Sequence, residues 1–208
     1  MMRARDIPGP PDGLLGPGLA CASMASRPGE QEALLGALMD RVRPAAGRSA
    51  GGGRPGRLRV TRDRWGCPCI AGAAAPCSVS FSRQGGRTWA ALSLQGRVGV
   101  DAASPDEFEA PYPFHRVFHD VEWTGAAPFC AGDRRDGAAL LWTLKEAAVK
   151  ALGLGFVGLD PLEVIVRPRR EEGPGLRFTV RARSARLRAR SMRERGRWLS
   201  LALWEVGP

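Results

Sequence analysis

The stretch LWTLKEAAVKALG, residues 141–153, is the C-terminal part of a helix that the sequence predicts from Asp136, a suitable N-cap, to Leu152. It holds the only two lysines of the chain, Lys145 and Lys150, although the chain has 31 basic residues. Lysine is a compact charge that can give up its proton when its surroundings shift its pKa, whereas arginine stays charged. One interpretation of the two lysines is therefore a site beside a phosphate group or a transferred proton, and the alternative is that their spacing arises by chance.

Three residues of this helix share one stripe of its surface. Trp142, Glu146 and Lys150 are spaced at i, i+4 and i+8. One interpretation is a solvated Glu–Lys pair, worth about 0.3 kcal/mol. However, a tryptophan on the same stripe is unfavourable in water. The alternative prediction is that Glu146 and Lys150 lie at the edge of a cleft.

Other acidic residues make a candidate cation site with this helix. Asp101 follows the apolar run VGV, where the chain leaves a predicted strand, and such positions often carry site residues. Glu122 lies near the end of a helix predicted over residues 114–121, whose apolar residues have helical spacing. Mg²⁺ takes one or two carboxylates plus substrate phosphates. Asp101 and Glu146 are therefore candidate ligands, with Glu122 as a possible third carboxylate.

Five segments, in their order and spacing, resemble the motifs of the 4'-phosphopantetheinyl transferase superfamily. The resemblance extends from Leu58 to Val206, and its most specific part is the lysine-containing helix with its tryptophan. The segments are RWGCPCI (64–70), CSVSFSRQGG (77–86), VGVD (98–101), FHDVEW (118–123) and LWTLKEAAVKALGLG (141–155).

The resemblance implies a fold and a reaction. The implied fold is α+β, with two similar β-rich subdomains that each carry a main helix, as in the pseudo-dimeric, surfactin-type members. The implied reaction moves the 4'-phosphopantetheine arm of coenzyme A to a serine of an acyl or peptidyl carrier protein and requires Mg²⁺, as in holo-acyl-carrier-protein synthases.

The resemblance also implies roles for individual residues. The implied metal ligands are Asp101, Glu146 and Glu122. The implied catalytic residues are Glu146, Lys150 and Glu122. The implied contacts to coenzyme A are Lys145, Lys150, Ser80 and Arg64.

The chain departs from the family pattern at three positions. Ala103 stands where the larger monomeric members have a second carboxylate, Phe81 stands for a histidine, and Cys67 stands for a lysine. The histidine and lysine contact coenzyme A phosphates in the family. An alternative function is therefore a catalytically degenerate relative that binds carrier proteins as a scaffold. Candidate replacements for the phosphate contacts are Arg62, Arg64 and Arg83.

Proline and glycine content and periodicity divide the chain into three predicted parts. Residues 1–28 are predicted to be a disordered extension, residues 29–103 the N-terminal subdomain, and residues 104–208 the C-terminal subdomain with the catalytic helix. A further helix is predicted over residues 30–42. The predicted strands are Leu58–Thr61, Cys77–Phe81, Thr88–Leu94, Arg97–Val100, Leu162–Arg167, Leu176–Ala189 with a bend, and Trp198–Val206.

Composition limits the partners and the compartment. The formal net charge of +10 favours an acidic partner, and an acidic carrier protein satisfies this. Five cysteines, an odd number in a chain of this size, favour a reducing compartment, so we predict a cytoplasmic protein. The absence of any apolar run approaching 18 residues predicts no membrane span. Two halves in one chain favour a monomer.

A basic segment suggests a rival function. The region from Arg167 to Arg197 contains twelve arginines, and their partial alternation makes one strand face basic. Nucleic-acid binding is the competing hypothesis. Aromatic residues are sparse there, with only Phe178 and Trp198, so stacking of bases is unsupported. A solvated strand face or a docking surface for an acidic carrier are the other interpretations.

Overall fold

The computed structural model describes residues 18–42, 58–73, 76–156, 158–169 and 175–205. These residues form three α-helices and ten strands. The helices are α1 (Glu30–Val42), α2 (Asp120–Ala126) and α3 (Arg134–Leu152). The strands are β1 (Leu19–Ala25), β2 (Arg59–Arg62), β3 (Pro68–Ala71), β4 (Ser78–Gln84), β5 (Arg87–Ser93), β6 (Arg97–Ala103), β7 (Val164–Arg169), β8 (Leu176–Ala182), β9 (Ala185–Glu194) and β10 (Arg197–Trp204).

The strands form two antiparallel sheets and a separate hairpin. The N-terminal sheet has the order β1-β5-β4, the C-terminal sheet has the order β6-β10-β9-β8-β7, and β2 pairs with β3. Helix α1 packs on the N-terminal sheet, and α3 packs on the C-terminal sheet, mainly on β6 and β10. This arrangement confirms the predicted α+β class, with one long helix for each sheet.

The two sheets pack on each other through their remaining faces. Their shared core contains the fully buried Trp89 and Ala91 of β5, which meet Val100 of β6 and Leu201 of β10. Because side chains alternate between the two faces of a strand, the intervening residues of β6 face α3. The layers therefore follow the order α1, N-terminal sheet, C-terminal sheet, α3, and β6 lies between the N-terminal sheet and α3.

Serine side chains join the two sheets along the line where β4 meets β6. Alternate hydroxyl groups of β4 accept hydrogen bonds from alternate backbone N–H groups of β6, at 3.0 to 3.2 Å. We call these three serines the serine seam. Their hydroxyl oxygens accept hydrogen bonds from the backbone N–H groups of β6, as backbone carbonyl oxygens do within a sheet. The pairs are Ser78 with Val98, Ser80 with Val100, and Ser82 with Ala102.

Strand β6 lies at the predicted boundary between the two subdomains, which stays a prediction. The boundary after residue 103 assigns β6 to the N-terminal subdomain, yet β6 pairs along its whole length with β10, from Arg97 opposite Trp204 to Ala103 opposite Trp198. The apolar alternation that predicts a strand does not specify its partner.

The predicted disordered extension is wrong over part of its length. Residues 1–17 lie outside the described residues, but β1 is a regular strand that pairs with β5 from Leu19 opposite Ser93 to Ala25 opposite Arg87. Its sequence LACASMA consists of small and apolar residues, of which all but the last are buried. The surrounding prolines and glycines conceal this short strand, and the tertiary contact with β5 stabilises it.

Three further local predictions are corrected. The helix predicted over residues 114–121 is a single 3-10 turn at Phe114–Arg116, and α2 starts only at Asp120, so Val121 is 53% exposed. The bent strand predicted over residues 176–189 is the β8–β9 hairpin, which turns at Arg183 with φ of 52°. Strand β3 was not predicted. In each case the local pattern is compatible with both structures, and packing against neighbouring elements selects one.

Helix α3 has well-defined ends. Asp133, and not the predicted Asp136, is the N-cap, because its side chain accepts hydrogen bonds from the backbone N–H groups of Arg135 and Asp136. The predicted C-cap is confirmed, since Gly153 has the left-handed conformation with φ of 69°. Asp136 is instead buried, where it accepts a hydrogen bond from the Trp198 indole at 3.0 Å.

The predicted basic strand face is present. In the β8–β9 hairpin, Arg177 lies opposite Arg190 and Arg181 lies opposite Arg186. Several arginines of the segment pair with carboxylates of this chain, among them Arg183 with Glu163 and Arg188 with Glu205. These pairs indicate that part of the basic charge is balanced within the molecule. Nucleic-acid binding by this face stays an untested hypothesis.

Gly99 allows α3 to lie directly on β6. A Cβ atom at this position would be 1.8 Å from the backbone oxygen of Ala147 and 2.7 Å from the backbone nitrogen of Ala151. Both contacts are with backbone atoms of α3, so the helix itself must move to accept a side chain. The small residues on α3 complete this close packing.

We predict that Gly99→Ala lowers the free energy of unfolding by about 3 kcal/mol, at the upper end of the usual cost of overpacking. Urea unfolding followed by tryptophan fluorescence measures this change. Gly36→Ala is the matched control, since Gly36 is on the exposed side of α1 with open space around its Cα. It is expected to stabilise the protein by up to about 1 kcal/mol. Equal effects of both substitutions would show that the helix–strand approach is not tight.

Candidate functional site

After its first two residues, the accessible surface of α3 is confined to one stripe. From Asp136 to Leu152 every residue is buried except Trp142, Glu146 and Lys150, which are half-buried. These are the three residues that the i, i+4, i+8 spacing places together. The ring of Trp142 stacks on Phe156, with centroids 5.1 Å apart. The solvated-pair interpretation is therefore wrong, and the stripe is a narrow opening on an otherwise enclosed helix.

Asp101 lies beside this stripe. It is on the α3 side of β6, and its Oδ1 atom is 2.7 Å from Nζ of Lys150. The same oxygen accepts a hydrogen bond from the hydroxyl group of Ser82 at 2.8 Å. The Lys150 ammonium also donates to the carbonyl oxygen of Val100 at 3.3 Å. With a side chain that is 30% exposed, Lys150 connects the buried carboxylate to the surface.

The two carboxylates of the site interact electrostatically. Burial raises the pKa of Asp101, and the charge of Lys150 with its hydrogen bond opposes this rise. Burial also raises the pKa of Glu146, and the negative charge of Asp101 raises it further. The two carboxyl groups therefore repel each other when both are ionised. A cation bound at this site would relieve the repulsion.

Tyr112, the only tyrosine, also lies near the site. Burial raises the pKa of its phenol, and the charges of Glu107 and Glu146 raise it further. Its ring packs against Phe108 and Phe114, each with centroids 5.0 Å from its own. The sequence did not predict this residue, because it lies in an irregular segment without a periodic pattern.

The structure places Glu122 and Lys145 away from the surface. Both side chains are completely buried, and Nζ of Lys145 is 2.8 Å from Oε2 of Glu122. The ammonium also donates to the carbonyl oxygens of Val117 and Pro161, each at 2.9 Å. Three partners use all three protons of the ammonium group.

The carboxylate of this pair is also fully engaged. The backbone N–H of His119 donates to Oε2 of Glu122 and the backbone N–H of Val166 donates to Oε1, each at 2.8 Å. The structure thus places neither side chain on the open stripe, and the roles of Glu122 as a metal ligand or base and of Lys145 as a phosphate contact stay predictions. Both residues connect α2, α3 and β7 within the core.

The remaining carboxylates suit a magnesium ion with few protein ligands. The described residues contain no group of three or more His, Cys, Asp or Glu side chains that could hold a metal, so the predicted set of three is not assembled. Asp101 and Glu146 supply oxygen donors, and Mg²⁺ commonly uses only one or two carboxylates, with waters and substrate phosphates as the other ligands. The donor chemistry therefore fits Mg²⁺ when substrate phosphates are present.

The three departures from the family pattern occupy different places. Ala103 is buried at the end of β6, and Phe81 packs on the α1 side of β4, so neither has a polar group at the site. Cys67 lies in the β2–β3 hairpin, and its Sγ atom is 3.7 Å from the carbonyl oxygen of Gly153, at the end of α3. The hairpin therefore reaches the same end of α3 as Lys150.

The three arginines that could replace the missing phosphate contacts differ in which groups of the chain they already contact. Arg83 is paired with Glu30 of α1. Arg62 donates to the carbonyl oxygen of Gly66 within the hairpin, and the guanidinium group of Arg64 lies 5.0 Å from the ring centroid of the exposed Trp65. The hairpin thus presents Arg64 on the surface near the end of α3. Ser80, a predicted coenzyme A contact, is instead 3% exposed and belongs to the serine seam.

Sequence reasoning missed Ser82, which touches Asp101. A signal for it exists in the alternation S-V-S-F-S at residues 78–82, because alternate residues of a strand share one face. The pattern shows that the three serines lie together. It does not show that the last of them meets a carboxylate from another strand.

Comparison with known proteins places this site in a family. The family model described as the 4'-phosphopantetheinyl transferase superfamily matches residues 97–202, about half of the chain. The chain belongs to this superfamily. The matched region contains Asp101, Glu146 and Lys150, and it excludes β1 to β5 and with them Ser82.

Solved structures with some similarity include two synthases with coenzyme A. The complex of ACPS with coenzyme A from Chronobacterium ammoniagenes has 20% sequence identity and a TM-score of 0.42, over 54% of this chain and 98% of that chain. The Helicobacter pylori holo-[acyl-carrier-protein] synthase in complex with coenzyme A has 19% identity and a TM-score of 0.39, over 51% and 98%. No curated protein matches the chain. Among the described residues, no helix is long and apolar enough to cross a membrane.

Proposed function

We propose that this superfamily member transfers the 4'-phosphopantetheine arm of coenzyme A to a serine of an acyl or peptidyl carrier protein. The observation that carries the proposal is the open stripe of α3, on which Lys150 binds Asp101 and Glu146 lies one turn before Lys150. Transfer of the phosphopantetheine arm requires charged groups beside the phosphates of coenzyme A. The open stripe supplies such groups. The arrangement supplies both signs of charge at one accessible place.

The chemistry is a substitution at phosphorus. The serine oxygen forms a bond to the phosphorus that carries the pantetheine arm, and the pyrophosphate P–O bond breaks. Adenosine 3',5'-bisphosphate leaves with the electron pair, and a carboxylate of the site or a water oriented by it takes the serine proton. Positioning and neutralisation of developing charge supply most of the rate enhancement in such transfers.

Individual residues have distinct roles in this proposal. Lys150 places a positive charge beside the phosphate oxygens, since only part of its hydrogen-bonding capacity is used by Asp101 and Val100. Asp101 and Glu146 would hold Mg²⁺, which when bound neutralises the pyrophosphate charge and improves the leaving group. Arg64, on the β2–β3 hairpin, is the candidate contact for the nucleotide phosphates.

The partner is proposed to be an acidic carrier protein. A net charge of +10 increases the encounter rate with an acidic protein and orients it. The association is then expected to weaken as ionic strength rises, because the Debye length falls to about 8 Å at physiological salt. We further propose that the protein acts as a cytoplasmic monomer.

A scaffold without transferase activity is the second candidate function. The observation that favours it is the lack of polar groups at Ala103 and Phe81, which leaves two family positions without ligands or phosphate contacts. Such a protein would bind carrier proteins but leave them unmodified. The two functions differ in turnover and not in carrier binding.

The deciding experiment combines binding and turnover. Calorimetry with coenzyme A, with and without Mg²⁺, is expected to show Mg²⁺-dependent binding. Incubation of the enzyme and coenzyme A with acyl and peptidyl carrier proteins, followed by intact-mass spectrometry, is expected to show addition of phosphopantetheine to the carrier. Carrier binding without mass addition would establish the scaffold function. Folded protein that neither binds coenzyme A nor modifies any carrier would refute the transferase proposal.

A further inference from the structure

Ser82 makes two hydrogen bonds that link the N-terminal sheet to the candidate site. Its hydroxyl oxygen accepts from the backbone N–H of Ala102 at 3.2 Å, and its hydroxyl proton is directed to Oδ1 of Asp101 at 2.8 Å. The side chain is only 6% exposed. The hydroxyl oxygen of Ser82 accepts from Ala102, and the hydroxyl group has one proton to donate. This proton is therefore available for the Asp101 carboxylate.

The other two serines of the serine seam can be compared with Ser82. Ser78 and Ser80 accept from the backbone of β6 in the same way as Ser82, at 3.0 and 3.1 Å. Among the described residues, only Ser82 of these three also donates to a carboxylate. The seam thus holds the sheets together along its length, and at one end it also orients an acidic side chain.

The two side chains that donate to Asp101 meet the same carboxylate oxygen. The Ser82 hydroxyl and the Lys150 ammonium both donate to Oδ1. Two side-chain donors on one oxygen restrict rotation of the carboxylate.

We propose that Ser82 is a positioning residue, which fixes the orientation of the Asp101 carboxylate toward the cation from the opposite sheet. This inference rests on the proposed transferase function. It assigns to the N-terminal half of the chain, outside the segment matched by the family model, a direct part in preparing the site. Residues that orient metal ligands typically change metal affinity or activity by about 10- to 100-fold when they are replaced.

The test compares Ser82→Ala with Ser78→Ala. Each substitution removes one hydroxyl acceptor of the seam, but only the first removes a bond to Asp101. Ser82→Ala is expected to weaken binding of Mn²⁺, used as a spectroscopic probe for Mg²⁺, by about 10-fold or more in the presence of coenzyme A. Electron paramagnetic resonance of free Mn²⁺ measures this directly. The Mg²⁺ concentration for half-maximal transfer should rise in parallel, while Ser78→Ala leaves both values unchanged.

A double-substitution cycle tests whether Ser82 acts through Asp101. In an Asp101→Asn background, Ser82→Ala is expected to cause no further loss of Mn²⁺ affinity, because the effects of residues that act as one unit are not additive. Additive losses, or equal effects of Ser82→Ala and Ser78→Ala in an active wild-type enzyme, would overturn the inference and leave the proposed function intact. A wild-type protein without coenzyme A binding or turnover would instead remove the function and the inference together.

Discussion

Replacement of Glu146 by glutamine is expected to lower the rate of phosphopantetheinyl transfer by about 100- to 1,000-fold, the usual loss when one electrostatic contact to a transition state is removed. The amide keeps the size of the side chain but loses the charge that complements a cation beside Asp101. Glu146 is half-buried on the open stripe, and no described residue forms an ion pair with it, so folding does not depend on it. Steady-state kinetics with carrier protein and coenzyme A measure the loss.

Glu163→Gln is the matched control for this experiment. Glu163 is also an acidic residue of the C-terminal half, but its side chain is about half exposed and its partner is Arg183, at 3.9 Å. The control variant should keep wild-type activity, and both variants should keep the wild-type unfolding transition. If Glu146→Gln retained full activity, the site on α3 would not be the catalytic site.

Replacement of Lys145 by methionine is expected to lower the free energy of unfolding by about 3–5 kcal/mol, the typical cost of breaking a buried ion pair from one side. The substitution leaves the Glu122 carboxylate in the core without its counter-charge, and it leaves the carbonyl oxygens of Val117 and Pro161 without a donor. Burial lowers the pKa of Lys145, and the charge of Glu122 opposes this effect, so the charged lysine depends on its partner. Urea unfolding measures the loss.

Two comparisons separate this structural role from contact with phosphate. Combined with Glu122→Gln, the Lys145→Met substitution should cost less than the sum of the two single changes, because the partners interact directly. Arg183→Met, which removes the exposed pair with Glu163, should change stability by only about 0–1 kcal/mol. An unchanged unfolding transition together with a raised KM for coenzyme A would show that Lys145 contacts substrate and does not stabilise the core.

The sequence predicted helix α3 well because the relevant information is local. Capping residues and apolar spacing located its end at Gly153, and the helical repeat placed Glu146 and Lys150 on one face. The sequence did not predict that Glu122 and Lys145, which both match family motifs, are buried against each other. Lys145 and Lys150 are five residues apart, so at 100° per residue they lie about 140° apart around the helix. Which of the two helix faces is covered depends on distant parts of the chain.

Other features were not predictable because they depend on contacts between distant segments. Strand β1 is stable through pairing with β5, and its own sequence carries only a weak signal. Ser82 and Asp101 come together only when β4 lies against β6. The alternation of serines along β4 is visible in the sequence, but the strand that receives their hydrogen bonds is not.

By itself, therefore, the sequence determined the α+β class, the extent of α1, the end of α3 and the stripe that holds Glu146 and Lys150. These follow from backbone periodicity and capping, which act over a few residues. Only the tertiary structure decided that Lys150 reaches Asp101 at the surface while Lys145 is buried against Glu122, and that Ser82 orients the site from the other sheet. Burial and partner choice depend on which surfaces pack together, and this is a property of the whole fold.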